Sequence, residues 1–176
     1  MHRTTSRLVL RPPAADDLAR LFAIYSDPAT NQFNPAGPLS DVQQAAALLD
    51  GWLHHWKNTG YGQWAIATSE SPADVIGFGG IASYRYNDVE RLNLGYRFDV
   101  AAWGKGYATE LGRASLELGL DELGLEGIWA LVRPTHLASI HVLEKIGMQR
   151  VDVLDDVPGQ TPSLVYNTRR RRVTPR

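Results

Sequence analysis

Along the chain of 176 residues, apolar and polar positions alternate with a period that switches between two and 3.6. Arg7-Leu8-Val9-Leu10-Arg11 predicts a first strand, stopped by Pro12-Pro13, which cannot donate to a ladder. Ala15-Asp16-Asp17-Leu18 opens a helix with acidic residues in its first turn, and Leu18, Leu21, Phe22 and Tyr25 form its apolar stripe at i, i+3, i+4 and i+7. Beyond the loop Asn34-Pro35-Ala36-Gly37-Pro38, Ser40 or Asp41 caps a second helix, with Ala45, Leu48, Leu49, Trp52 and Trp56 on one face. Gly60-Tyr61-Gly62 ends it. Three strands follow, Gln63–Thr68, Val75 to about Tyr84 and Leu92–Asp99, with turns at Ser71-Pro72-Ala73-Asp74 and Asn87-Asp88. A helix from about Gly106 to Leu120 carries the stripe Leu111, Ala114, Leu118. Gly127–Val132 is a strand, and a helix from about His136 to Ile146 is stopped by Gly147. Short strands at Gln149–Leu154 and Leu164–Thr168 finish the chain. The order β-α-α-β-β-β-α-β-α-β-β predicts one α/β (α+β) domain, a mixed sheet with helices on its faces.

One junction carries chemistry. The strand ending at Phe98-Asp99 passes through Val100-Ala101-Ala102 into Trp103-Gly104-Lys105-Gly106-Tyr107-Ala108, and a helix starts at once. Glycines at a strand-to-helix turn let backbone N–H groups approach an anion, and the new helix adds its unpaired N–H groups and positive dipole end. That is a phosphate cradle, suited to a pyrophosphate. A P-loop needs Lys-Ser/Thr after its last glycine, and Gly106 is followed by Tyr107-Ala108. The dinucleotide fingerprint needs three spaced glycines, and only Gly104 and Gly106 are present. Gly77-Phe78-Gly79-Gly80 leads into more strand, and reads as a bulge or a close approach.

Composition narrows the classes further. Hydrophobic residues at 44% and charged residues at 21% are ordinary for a globular chain. A net charge of −1 gives no global field for nucleic acid. Arg169-Arg170-Arg171-Arg172 and Arg176 place five of the 18 basic residues in residues 169–176, read as a basic, disordered tail after a domain of residues 1–168. There are no cysteines, which removes disulfides and thiolate chemistry and fits a reducing compartment. His54-His55, and His136 with His141 five positions on, lack metal-pair spacing and a carboxylate cluster, so no metal is expected. With no leader-like apolar run and no window of about 20 apolar residues, the expectation is a cytoplasmic protein without a membrane span.

These motifs resemble the GCN5-related N-acetyltransferase superfamily, and within it the ribosomal-protein N-terminal acetyltransferase-like branch. The superfamily's coenzyme A loop, Gln/Arg-x-x-Gly-x-Gly/Ala, is similar to Trp103-Gly104-Lys105-Gly106-Tyr107-Ala108, and the branch continues with Thr109-Glu110. Downstream, His136-Leu137-Ala138-Ser139 and Leu143-Glu144-Lys145-Ile146-Gly147-Met148 resemble the branch's Asn-x-x-Ser and Leu-Glu-Lys-x-Gly-Phe. Order and spacing agree from about residue 7 to 168.

The resemblance implies a mostly antiparallel sheet of six to seven strands, flanked by about four helices. It implies acetyl transfer from acetyl-CoA to an amine, a peptide N-terminus or a small molecule such as an aminoglycoside, amino acid or polyamine, and a homodimer. The pyrophosphate would lie on backbone N–H groups from Gly104 to Thr109, within a cofactor set of Phe98, Trp103, Gly104, Lys105, Gly106, Tyr107, Ala108, Thr109, His136 and Ser139. The pantetheine arm would lie beside Tyr96-Arg97-Phe98 as a pseudo-strand, with a backbone N–H near Phe98 holding the developing oxyanion. Ser139 is the candidate general acid, and Tyr166 a second one.

Two positions depart from the branch. Asn93 stands where it often carries glutamate, and asparagine cannot be a general base. Glu90 is near in sequence. His136 replaces the branch's asparagine, and either keeps a cofactor contact or supplies the missing base. At pH 7 an α-amine of pKa near ~7.8 is roughly 14% neutral and a lysine near ~10.4 about 0.04%, so loss of the carboxylate favours α-amines. Arg113, Arg133 and Lys145 are candidates for the 3′-phosphate. Phe33 and Asn34 are candidates for the acceptor site, Glu110 reads as an anchor behind the loop or a favourable first-turn charge, Lys105 as a phosphate contact or a loop cation, and Trp52 and Trp56 as core. Two other readings stay open: a catalytically silent acyl-CoA-binding regulatory module and a nucleotide-binding module.

Overall fold

The computed structural model describes residues 1–169. The strands are β1 (Arg3–Thr4), β2 (Leu8–Arg11), β3 (Gln63–Thr68), β4 (Val75–Tyr86), β5 (Val89–Phe98), β6 (Gly127–Val132), β7 (Gln149–Leu154) and β8 (Ser163–Arg169). The helices are α1 (Leu18–Tyr25), α2 (Val42–Thr59), α3 (Tyr107–Leu116) and α4 (Leu137–Lys145). The strands form one eight-stranded sheet in the order β1-β2-β3-β4-β5-β6-β8-β7, and β5 with β6 is the parallel pair in an otherwise antiparallel ladder.

The sheet has one strand more than the six or seven expected. β1 is two residues long, paired as Arg3↔Leu10 and Thr4↔Val9, too short to leave a period-two signal. The β4–β5 hairpin also runs further than expected. Tyr86 pairs Val89 across the Asn87-Asp88 turn, where Asn87 takes φ 54°. α3 closes early, at Leu116, and a π-helical turn, Glu117–Glu122, continues it.

Alternation along the central strands sorts the core onto two faces. On one, Leu21 and Ile24 of α1 and Ala45 and Leu49 of α2 pack on Ala65, Val75 and Phe78. On the other, Leu111, Ala114 and Leu118 pack on Leu8, Leu10, Trp64, Ile66 and Phe98. α4 seats Leu143 on the same side, against Ile81, Leu94, Ile128 and Ala130. β3 is buried on both faces, which is why its run Trp64-Ala65-Ile66-Ala67 is continuously apolar. Asp41 is the residue that caps α2, its carboxylate accepting from the Gln44 N–H, and Gly60 closes the helix at φ 77°. The glycines of β4 serve close approach. A Cβ on Gly80, at φ 151°, would stand 2.3 Å from the Gly62 carbonyl oxygen. Among the described residues no helix is long and apolar enough to cross a membrane. Residues 170–176, most of the expected basic tail, lie outside the described part of the chain.

Candidate active site

The site is a split in the sheet. The Asp99 N–H donates to the Ile76 carbonyl, which fixes the alternation along β5: residues 99, 97 and 95 turn their main chain to β4, and 98, 96 and 94 turn theirs towards β6. β6 meets β5 at one register position, Asn93↔Trp129. Beyond it the two strands diverge, so the main-chain groups of Tyr96 and Phe98 face a gap with no ladder partner there. A buried strand edge inside a sheet is a place for an extended ligand to pair.

At the end of β5 the chain turns through Val100–Ala102, with the Asp99 carboxylate accepting from the Ala101 N–H. The indole N–H of Trp103 donates to the Phe98 carbonyl at 3.0 Å, tying the loop back to the strand. Gly104 (φ 72°) and Gly106 (φ 80°) take left-handed conformations that a side chain resists. α3 starts at Tyr107 without a side-chain cap, so the N–H groups of its first turn stay available to a ligand. Glu110 fixes this turn from below. Its carboxylate accepts from the Thr5 hydroxyl (2.6 Å), the Arg7 N–H (2.7 Å) and Arg7 Nε (2.8 Å), while Arg7 also donates to the Lys105 carbonyl (2.8 Å). Burial pushes the Glu110 carboxyl up, but these hydrogen bonds and the Arg7 charge outweigh it and hold it below the usual range. Glu110 is thus a clamp, the anchoring alternative to a plain first-turn charge.

A groove of about 570 Å³ runs alongside, lined by Arg3, Arg7, Gly106, Thr109, Arg113 and Lys145 among others. Arg3 is held by Glu117 and Glu122, whereas Arg113 and Lys145 make no ion pair among the described residues. Arg133 is committed elsewhere, to Ser163, Gln160, Thr161 and Asp156, which removes it as a phosphate ligand.

Across the gap stands a chain of polar side chains. The Tyr96 hydroxyl donates to Ser139 Oγ at 3.2 Å, and Ser139 Oγ lies 3.2 Å from His136 Nε2. With Ser139 accepting from Tyr96, its own proton points at His136. Burial lowers the His136 imidazole below its usual value, so it stands neutral and can accept. Burial raises the Tyr96 hydroxyl, more than its bond to Ser139 lowers it. Phe33, from the loop after α1, stacks on the His136 ring with centroids 4.1 Å apart. Asn34 braces that loop, donating to Asn31 Oδ1 and the Gly37 carbonyl.

The opposite face of β5 carries Arg91, Asn93, Gly95 and Arg97. Arg97 donates to Asn31 Oδ1 at 2.6 Å and lies 4.4 Å from the Tyr25 ring centroid. Burial lowers the Arg97 guanidinium from its usual value and pushes the Tyr25 hydroxyl up to about 12. The Tyr86 hydroxyl, raised by burial, donates to Asn93 Oδ1 at 2.5 Å.

Residues 7–149 match the family model for the acetyltransferase (GNAT) domain. The chain belongs to the GNAT acetyltransferases. It is 30% identical over 150 residues to the uncharacterized N-acetyltransferase YnaD of Bacillus subtilis (strain 168), an alignment covering 85% of this chain and 84% of the relative. An acetyltransferase from Agrobacterium tumefaciens str. C58 superposes with TM-score 0.80 at 25% identity, covering 97% and 95% of the two chains. Two more distant structures share the fold. They are a ribosomal-protein-S5-alanine acetyltransferase from Vibrio fischeri (TM-score 0.78, 13% identity, 99% and 100% covered) and a spermidine N-acetyltransferase from Vibrio cholerae in complex with CoA and spermine (TM-score 0.77, 16%, 94% and 97%).

The protein is therefore an N-acetyltransferase whose acyl donor is acetyl-CoA. Its residues fit that donor on two independent observations, the uncapped glycine turn and the unpaired edges of β5 and β6. This GNAT chain brings Phe98, Trp103, Gly104, Lys105, Gly106, Tyr107, Ala108 and Thr109 to one rim of the gap, and His136 and Ser139 to the other. The Thr109 side chain is itself buried, which leaves its backbone N–H as the group to offer. Tyr166 stands apart. It is 2% exposed under α4, and its hydroxyl donates to Glu144, so it does not join the Tyr96–Ser139–His136 chain. Sequence reasoning placed Tyr96 and Arg97 beside the cofactor arm through their main chain but gave their side chains no role, and passed over Arg91, Asn31 and Tyr86. Alternation along the expected strand Leu92–Asp99 places Asn93, Gly95 and Arg97 on one face and Tyr96 on the other, while Arg91 lies one residue before that strand and joins the first face only because β5 starts at Val89. Nothing local pointed to Asn31 and Tyr86 as their partners.

Proposed function

We propose that this GNAT enzyme acetylates an α-amine, using Ser139 as general acid and His136 in place of the carboxylate that Asn93 does not supply. Bound in the gap, acetyl-CoA supplies an acetyl thioester and departs as a thiol. The Gly104–Thr109 turn would hold its phosphates through main-chain N–H groups, and Arg113 and Lys145 offer the unpaired cations beside that turn. The observation that carries the reading is the hydrogen-bonded chain Tyr96–Ser139–His136 at the mouth of the split. Its hydroxyls stand ready to hand on a proton, and its neutral imidazole stands ready to take one.

Phe33, stacked on His136, forms part of the acceptor wall together with Asn31, Arg97 and Asn93. An amine that is partly neutral at pH 7 suits a site whose base is a lone imidazole. The test is thiol release from acetyl-CoA over a panel of N-terminal peptides, free amino acids, aminoglycosides and polyamines. Turnover of α-amines that falls in a Ser139→Ala variant supports the proposal. Tight acetyl-CoA binding without turnover anywhere in the panel would instead support a silent acyl-CoA-binding module.

A further inference from the structure

α1 and α2 cover their side of the sheet over β3 and β4, packing on Ala65, Val75 and Phe78. On the same side β5 and β6 carry Arg91, Asn93, Gly95 and Arg97, with Trp129 in register beside Asn93. Arg97 is occupied by Asn31 and Tyr25. Arg91 is not. Its guanidinium carbon lies 4.9 Å from the Trp129 ring centroid and 5.6 Å from that of Tyr86. It makes no ion pair among the described residues, and its Nε is buried without a hydrogen-bond partner.

Asn93 points the same way. Its Oδ1 is taken by Tyr86, and its Nδ2 is turned towards Gly95, 3.3 Å from where a Cβ on that glycine would stand. No hydrogen bond uses that amide N–H among the described residues. So this patch of β5 presents unused donors and a positive charge. It holds no carboxylate, since Glu90 is one position out of phase. A buried donor without an acceptor is costly, and the guanidinium fork matches a carboxylate in shape as well as charge.

We propose that Arg91 and Asn93 form a carboxylate-recognising subsite, so that the acceptor is an amine carrying a carboxylate close to its nitrogen. The inference rests on the N-acetyltransferase reading above and names the substrate class for it. A polycation would meet two arginines here, and none of the β5 positions 91, 93, 95 and 97 supplies a counter-charge. The same positive field favours the neutral form of an arriving amine, which eases loss of the proton that Asn93 cannot take. The carboxylate has two sources: the α-carboxylate of a free amino acid, or an acidic first side chain of a peptide.

Matched acceptors separate them. Free amino acids are compared with their carboxamides, and peptides beginning with Asp or Glu with those beginning with Asn or Gln, by kcat/KM. The acid member of one pair is expected to win by about 10-fold or more, the scale of one hydrogen bond to a charged group; which pair it is identifies the source. Arg91→Gln should bring that ratio down towards one, and Arg91→Lys should keep part of it, retaining charge without the fork. A thermal melt with acetyl-CoA checks that each variant is folded with its donor turn intact. Equal or better turnover of amides or spermidine overturns the proposal. So does an unchanged ratio in the Arg91 variants, or no turnover of any carboxylate-bearing amine. Wild-type protein whose melt ignores acetyl-CoA would bring down the enzyme reading as well, a result distinct from all of these.

Discussion

The two halves of this site are made of different material. The donor half is main chain: a glycine turn, an uncapped helix end and an unpaired strand edge, pinned by Glu110 and Arg7. The acceptor half, as proposed above, is side chain: Asn31 and Phe33 from the loop after α1, Arg91, Asn93 and Arg97 from β5, and His136 from the approach to α4. Main-chain N–H groups recognise a phosphate whatever side chains surround them, so a donor half can persist while the acceptor half is rebuilt. Two proteins that share the fold are named for different acceptors, one for spermidine and another for a ribosomal protein.

The contrast breaks most sharply at Gly106. Its φ of 80° resists any side chain, and Gly106→Trp should erase the response to acetyl-CoA. For wild type, donor at ~100 times its dissociation constant stabilises by about 2.7 kcal/mol, a rise of roughly 5–10 °C for a domain of this size. A Gly106→Trp protein that folds and still shows the full rise would show that the turn is not the phosphate site.

Next comes the junction between the halves. Ser139→Ala should lower kcat by about 100-fold while the acetyl-CoA melt shift is kept. Unchanged kcat would remove Ser139 from the chemistry. His136 sharpens the comparison through pH. Burial holds its pKa below 6.5, so the native state binds fewer protons than the unfolded chain as pH falls through 6.5. Its contribution to stability is complete above 6.5 and lost on the way down to the native value. Activity should follow the same limb below pH 6.5, and His136→Asn should flatten it; a limb that survives the substitution belongs to another group.

The smallest effect is expected at the clamp. Glu110→Gln keeps the shape and weakens the hydrogen bonds from Thr5 and Arg7, at a cost of about 1–2 kcal/mol in a denaturant midpoint, with weaker acetyl-CoA binding. Because the carboxyl is held below 4.5 in the native state, this contribution is present above that pH and lost as pH falls through the lower native value. Equal midpoints for the two proteins at pH 7 would make the clamp ornamental.

Much of the molecule was legible in one dimension. The helix and strand order, a cap at Ser40 or Asp41, the Gly60 and Gly147 stops and the anion-binding turn are written in local spacing. Gly77-Phe78-Gly79-Gly80 was rightly read as strand in close contact, Gly80 lying against Gly62. Less legible were β1, whose two residues exist as a strand because Val9 and Leu10 lie beside them, and the π-helical end of α3. At Glu110 the sequence left an anchor and a plain first-turn charge both open, because its partners, Thr5 and Arg7, lie more than 100 residues away in sequence.

By itself, then, the sequence determined the elements and the anion-binding turn, since these depend on backbone conformation and short-range period, and its motifs carried the family resemblance. Tertiary structure decided which side chains share a site. It set Ser139 between Tyr96 and His136, removed Tyr166 to Glu144, gave Arg133 to Asp156, and left Arg91 with a buried, unpaired nitrogen. Those pairings form between groups tens of residues apart, and sheet register and helix packing, which no local window contains, bring them within hydrogen-bond reach.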